Sequence, residues 1–146
     1  MAAKFYNHGL YKLMNLAISG STDLRCLVIA GASLPAGAKN VDLDFVADVL
    51  AVGSVVEAAA TNYARQDLAS VTLTENDAGD KVDFTAAAPT MNNVAVGETW
   101  RMVVYYIEGA SDAARDLVAY DEPAATLVTN GGNITLPQFV AAVTSP

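Results

Sequence analysis

Residues 99–108, TWRMVVYYIE, constrain this chain more than any other stretch. Their density of β-branched and aromatic side chains marks a strand. Successive side chains of a strand point to opposite faces. Alternation therefore sets Trp100, Met102, Val104 and Tyr106 on one face and Arg101, Val103, Tyr105 and Ile107 on the other. Both faces are largely apolar, so both must be covered. The segment reads as a central strand with a second sheet on one side and a helix on the other. Trp100, Met102, Tyr105 and Tyr106 also have the makings of a sugar- or ligand-binding face, but two apolar faces favour core.

The remaining segments fit around such a strand. Residues 24–30, LRCLVIA, are short, apolar and bounded by Gly31, as a buried strand should be. Residues 71–74 alternate Val and Leu with Thr, and residues 81–85 carry Val82 and Phe84 on one face. The Asn-Asp-Ala-Gly between them supplies turn chemistry, so the two pair as a hairpin. Residues 116–121, 133–136 and 138–143 read as further strands, with Pro137 at a bend or an edge. In 116–121, Leu117 and Ala119 fall on one face and Val118 and Tyr120 on the other. Residues 52–61 read equally as strand or loop.

Two helices are expected. Over residues 4–17, Phe5, Tyr6, Leu10, Leu13, Met14 and Ala17 cluster at three- and four-residue spacing, opposite Asn7, Lys12 and Asn15. Residues 44–50, DFVADVL, suit a short helix with Phe45, Val46, Val49 and Leu50 inward. The expected fold is a single domain over residues 1–146. It is mainly β: an antiparallel β-sandwich or open barrel of six to seven strands with an N-terminal α-helix.

Composition narrows the function classes. Apolar residues make up 53% and charged residues 16% of 146, well under the roughly 25% charged of ordinary domains. A neutral, Ala-rich exterior points to burial against partners or to compositional bias. A net charge of −8 argues against direct contact with a phosphate backbone. The start of the chain has no unbroken apolar run of signal-peptide type, and no window is long enough for a membrane span. The chain is expected to be made and kept in the cytoplasm until it meets its partner.

The candidate chemical sites are weak. Glu75-Asn76-Asp77-Ala78-Gly79-Asp80 lacks the spacing of a helix-loop-helix calcium site and sits between strands, so it reads as a hairpin tip. Asp44 and Asp48 would share a helical face at i and i+4, a spacing open to metal ligation or acid–base work. No His follows at ligand spacing, and Asp44 is a natural N-cap. His8 is the sole histidine, beside Gly9 and with no nucleophile motif near it. Ser19-Gly20-Ser21 and Gly131-Gly132-Asn133 are turn material. Cys26 sits inside an apolar strand and reads as core. No catalytic residue, cofactor or metal is expected, and an enzyme is not.

Read as a whole, the chain resembles a group of small virion structural proteins of tailed bacteriophages. The likeness runs along nearly the full length: KFYNHGLYKLMNLAISGSTDLRCLVIAG, then DFVADVLAVGSVVEA, TNYARQDLASVTLT, the acidic hairpin ENDAGDKVDFTA, TWRMVVYYIEG, DLVAYDE and a final NGGNITLP. One stretch departs from it. EAAATNYAR at residues 57–65 stands where relatives are Gly-rich, which puts any shared contact there in doubt. The resemblance implies a structural role: a capsid decoration or cement protein on the exterior of the phage head. Its partners would be the major capsid protein and further copies of itself, as a dimer or trimer. The alternatives are a neck, tail or fibre-associated virion protein and, from another class, a carbohydrate- or ligand-binding β-sandwich. Phe5, Tyr6 and Leu10, together with Leu34, Pro35 and Val41 in the 34–41 loop, are the expected docking residues.

Overall fold

A computed structural model describes residues 4–6, 23–79 and 81–144. In chain order its strands are β1 (Lys4–Phe5), β2 (Leu24–Ala30), β3 (Val56–Glu57), β4 (Gln66–Asp67), β5 (Thr72–Asn76) and β6 (Lys81–Ala86). Then follow β7 (Thr90–Met91), β8 (Thr99–Ile107), β9 (Leu117–Asp121), β10 (Leu127–Val128), β11 (Ile134–Thr135) and β12 (Phe139–Thr144). One α-helix, α1 (Val46–Ala51), and three 3-10 turns at Ala36–Lys39, Asp77–Gly79 and Asp112–Ala114 complete the described elements.

The protein is mainly β, and every pairing is antiparallel. The nine-residue β8 is central, as its two apolar faces require. One edge pairs with β2 along Leu24–Ala30, and the other pairs with β9 and β10. Beyond β2 lie β3 and β4, and beyond β9 lies β1. A second sheet has the order β12-β6-β5, and the hairpin read from residues 71–85 is its β5–β6 pair. The described strand segments outnumber the six or seven expected. Short pieces account for the excess. β3, β4 and β10 each pair with only part of a longer strand, and kinks split two long strands into β6 with β7 and β11 with β12.

The two faces of the first sheet bury separate cores. On one face Cys26, Val28, Trp100, Val103 and Tyr105 meet Phe84, Ala86, Phe139 and Ala141 of the second sheet. The Tyr105 and Phe139 rings stand 4.7 Å apart in a tilted pair. On the other face Leu27, Ile29, Met102, Val104, Tyr106, Leu117 and Tyr120 pack with Tyr6, Ala38, Val46 and Val49.

The expected N-terminal helix over residues 4–17 is corrected at its start. Lys4 and Phe5 are strand, opposite Tyr120 and Ala119, and the Tyr6 N–H donates to the Val118 carbonyl at 2.9 Å. Pairing with the outer edge of β9 satisfies backbone groups that a helical turn would leave unpaired there, so tertiary pairing overrides the local period. Residues 7–17 of that expectation lie outside the described residues. Among the described residues the helical cover on the second face comes from α1 and the 3-10 turn Ala36–Lys39.

Helix α1 lies close to the expected 44–50, with Val46 and Val49 buried. Its N-cap is Phe45, not Asp44. Asp48 Oδ2 reaches back to accept from the N–H of Phe45 at 2.9 Å and of Asp44 at 3.3 Å. A carboxylate at the third helical position satisfies the amides of the cap residue and of the residue before it. Asp44 thus precedes the helix, and the two carboxylates do not form an i, i+4 pair on one helical face.

Two β-bulges revise the face assignments. Ile29 opposes Met102 but Ala30 opposes Trp100, so Arg101 is the extra residue. Trp100 is thereby turned into the sandwich core with Val103 and Tyr105, away from Met102. Tyr105 opposes Ala119 but Tyr106 opposes Leu117, so Val118 is extra in β9. Leu117 then shares a face with Tyr120, and Val118 with Ala119. Strict period-two alternation fails in both strands at the inserted residue.

Candidate functional site

The aromatic strand presents no ring to a ligand. Trp100, Met102, Tyr105 and Tyr106 are all at most 1% exposed. The Trp100 indole Nε1–H donates to Glu98 Oε2 at 2.9 Å, and its ring meets Tyr63 edge-on at 5.8 Å. Cys26 is free and buried, and burial pushes its thiol up to about 12, so it is inert at neutral pH.

The most organised polar assembly is a ladder of alternating charges. Arg25 bonds Asp67 and Glu108, Arg115 bonds Glu108 and Asp112, and Arg65 bonds Asp112 and Glu57. The Arg65 and Arg115 pairs have contacts of 2.6–2.7 Å, within the range of charge-assisted hydrogen bonds. Glu57 also accepts from Tyr63 Oη at 2.9 Å, and that hydroxyl accepts the Val28 N–H at 3.0 Å. The Arg65 and Arg115 guanidinium carbons lie 5.6 and 5.9 Å from the Tyr106 ring centroid. Both cations therefore cover the ring that rims the second core.

The hydrogen bond from Arg65 holds Asp112 down at about 2, and that from Arg115 lowers Glu108. Every guanidinium in the ladder has carboxylate partners. Its chemistry is structural: it seals an edge and offers no free cation to a substrate. The ladder was not legible locally, because directly bonded members lie up to 83 residues apart in sequence.

The exposed apolar surface lies elsewhere. Val56, Val96 and Val128 are 58%, 70% and 59% exposed. Val128 opposes Thr99 on β10 and β8. The Gly31 N–H donates to the Thr99 carbonyl at 2.9 Å, and Ala30 opposes Val56. Val128, Thr99, the Ala30-Gly31 corner and Val56 thus follow one another across four strands at one end of the first sheet. Val96 stands beside Gly131, one residue before Gly97. A cleft of about 380 Å³ opens at this end, lined by Ala30, Gly31, Ala32, Val56, Gly97, Glu98 and Thr99.

The lining is small, and its charged side chain, Glu98, hydrogen-bonds internally. Both Glu98 carboxylate oxygens are used internally, one by Trp100 and the other by the Ala59 N–H at 2.9 Å. Arg101 Nε is spent on the Gly31 carbonyl at 2.7 Å. Small residues let another surface approach closely, and internally satisfied polar groups lower the desolvation cost of contact. The arrangement suits protein contact.

The sequence-predicted docking residues scatter. Tyr6 is 0% exposed, and its Oη donates to the Ala38 carbonyl at 3.1 Å. Its ring lies 5.6 Å from that of Tyr120, so it anchors β1 within the second core. Leu34 is half-buried against that core, Pro35 is half-buried, and Val41 is 38% exposed. Phe5 lies in β1, and its side chain is outside the described residues, as are Leu10 and His8. Val56, Val96 and Val128 were missed, because an isolated valine in a loop or a two-residue strand carries no periodic signal.

The acidic turn is a hairpin tip over its described part, Asp77–Gly79, and Asp80 lies outside the described residues. Among the described residues no three His, Cys, Asp or Glu side chains converge to hold a metal ion, and no helix is long and apolar enough to cross a membrane. Comparison with protein-family models, with curated proteins and with solved structures gave no match.

Proposed function

We propose that this chain is a virion structural protein, a capsid decoration protein that binds and stabilises the exterior of a tailed-phage head. The observation that carries the reading is one end of the first sheet, where exposed Val56 lines a cleft of mostly small residues and exposed Val128 and Val96 adjoin its lining residues Thr99 and Gly97. The likeness of the whole chain to small phage virion proteins supplies the biological setting. On this reading the partner is the major capsid protein. Val56 and Val128 would be buried against it, and Val41 is the member of the 34–41 loop exposed enough to add to the contact. The net charge of −8 favours docking on a basic shell surface. Stabilisation then follows from mass action over many copies, each adding modest area.

Copy number tests the reading. Quantitative mass spectrometry of purified virions should find this chain in a simple ratio to the major capsid protein, at hundreds of copies. A dozen or fewer would move it to the neck, tail or a fibre. Absence from the particle would overturn the virion role. A Val56→Lys, Val128→Lys double variant should lose shell binding while keeping its β circular dichroism and its melting temperature.

A further inference from the structure

Among the described residues several strands lie at sheet edges, and one long edge lacks protection. An edge strand shows unpaired N–H and C=O groups, and folded proteins blunt such edges with brevity, charge or bulges. At the margins of the first sheet, β1, β3 and β4 are two residues long. β1 also carries Lys4, and β4 carries Asp67 in its ion pair with Arg25. In the second sheet β5 carries Glu75 and runs directly into the 3-10 turn that begins with Asp77. β12 has no such device. It is six residues, FVAAVT, without a charge or a proline. It pairs with β6 without a register shift, from Phe139 opposite Ala86 to Thr144 opposite Lys81, so no bulge twists it away. Among the described residues its other edge pairs with nothing.

The side chains agree with the backbone. Phe139 and Ala141 are buried in the sandwich, while Val140 is 37% exposed and Ala142 is exposed. The outward face of this edge is therefore apolar. A strand is the partner that matches such a row of backbone groups along its whole length.

We infer that β12 is a self-association edge, at which two copies of this chain pair antiparallel, β12 on β12, about a two-fold axis. Self-complementarity selects the second copy. Each chain carries a net charge of −8, so two copies repel wherever acidic surfaces meet. An uncharged strand pairs with its own copy without bringing like charges together, whereas a seam of β5 on β5 would contain Glu75 of both copies. The pairing fuses two three-stranded sheets into one of six strands, and it places Val140 and Ala142 of both copies in one outer stripe. An isologous contact of this kind closes at two chains. It holds whether or not the protein belongs to a virion.

Sedimentation velocity on the full chain tests it, with Val140→Lys, Ala142→Lys and, on the opposite edge, Thr74→Lys. All three substituted side chains face solvent, so the variants should keep the wild-type circular dichroism and melting profile at matched dilution. The wild type should sediment at the mass of two chains at micromolar concentration. Val140→Lys and Ala142→Lys should sediment as single chains there, and Thr74→Lys should remain dimeric. Amide exchange should slow in β12, and not in β5, as concentration rises. A wild type that stays single throughout, a dimer insensitive to both β12 variants, or an assembly of three would each overturn the proposal.

Discussion

The two faces of the first sheet are closed by different means. One face is covered by a second sheet and builds a dry core around Trp100, Tyr105 and Phe139. The other is covered by a six-residue helix and a 3-10 turn, elements too short to be stable alone. That face is finished by the ladder from Glu57 to Asp67, with two arginines on Tyr106. A sheet supplies apolar area over its whole extent. A short helix does not, and among the described residues ion pairs line its rim. The stability of the second face therefore depends on charge state and salt in a way that the first does not.

Cutting into the dry core should cost the most. Phe139 is 0% exposed and packs on Tyr105, so Phe139→Ala should destabilise by about 4 kcal/mol through lost burial and a residual cavity. Denaturant unfolding would measure it, and a loss under about 1 kcal/mol would mean that the two sheets are not tightly packed there.

The turn that presents Glu108 and Arg115 is the next most sensitive point. A Cβ on Gly109 would stand 2.2 Å from the Ala114 carbonyl oxygen, so even alanine must displace backbone. Gly109→Ala should cost about 2 kcal/mol, in the range of overpacked substitutions, and should disturb the second face first. Amide exchange resolved by residue should show 44–51 and 108–117 losing protection before 81–86 and 139–144. Uniform loss would erase the distinction between the faces.

Arg65→Met keeps the side-chain bulk over Tyr106 but leaves Glu57 without its guanidinium and Asp112 with Arg115 alone. The expected loss is about 1.5–2 kcal/mol, as for hydrogen bonds to charged groups. It should shrink in high salt, whereas the Phe139→Ala loss should not. An equal salt response of the two variants would refute the division.

The smallest and sharpest contrast lies in acid. Asp112 is held at about 2 by Arg65, below its ordinary 3.8. Its contribution is therefore fully present above pH 3.8 and is lost as pH falls through about 2. Asp121 behaves oppositely. It opposes Val103, is 2% exposed, and its Oδ1 accepts no hydrogen bond among the described residues. Burial raises its pKa, so its contribution is present below the unfolded value and is lost as pH rises through the higher folded value. Asp112→Asn should flatten the acid limb of a stability-versus-pH curve, and Asp121→Asn should remove a decline on the rising side. If both variants shift the curve in the same direction, the assignment of opposite environments fails.

Several features were legible in the residues themselves. The apolar density of 99–107 is enough to demand a central strand buried on both faces. Alternation in 71–74 and 81–85 with turn chemistry between is enough for a hairpin, because strand period and turn preference are local properties. The short helix near Val46–Ala51 was readable for the same reason. Other features were settled only by the tertiary structure. The bulges at Arg101 and Val118 turn Trp100 and Ala119 to faces that alternation denies them, because a bulge answers to the register of the partner strand. Lys4 and Phe5 left their helical period because β9 had an edge to satisfy. The arginine ladder and the exposed valines of the candidate docking surface arise from residues far apart in the chain. Distance in sequence carries no trace of proximity in space, so those contacts exist only once the sheets have brought their strands together.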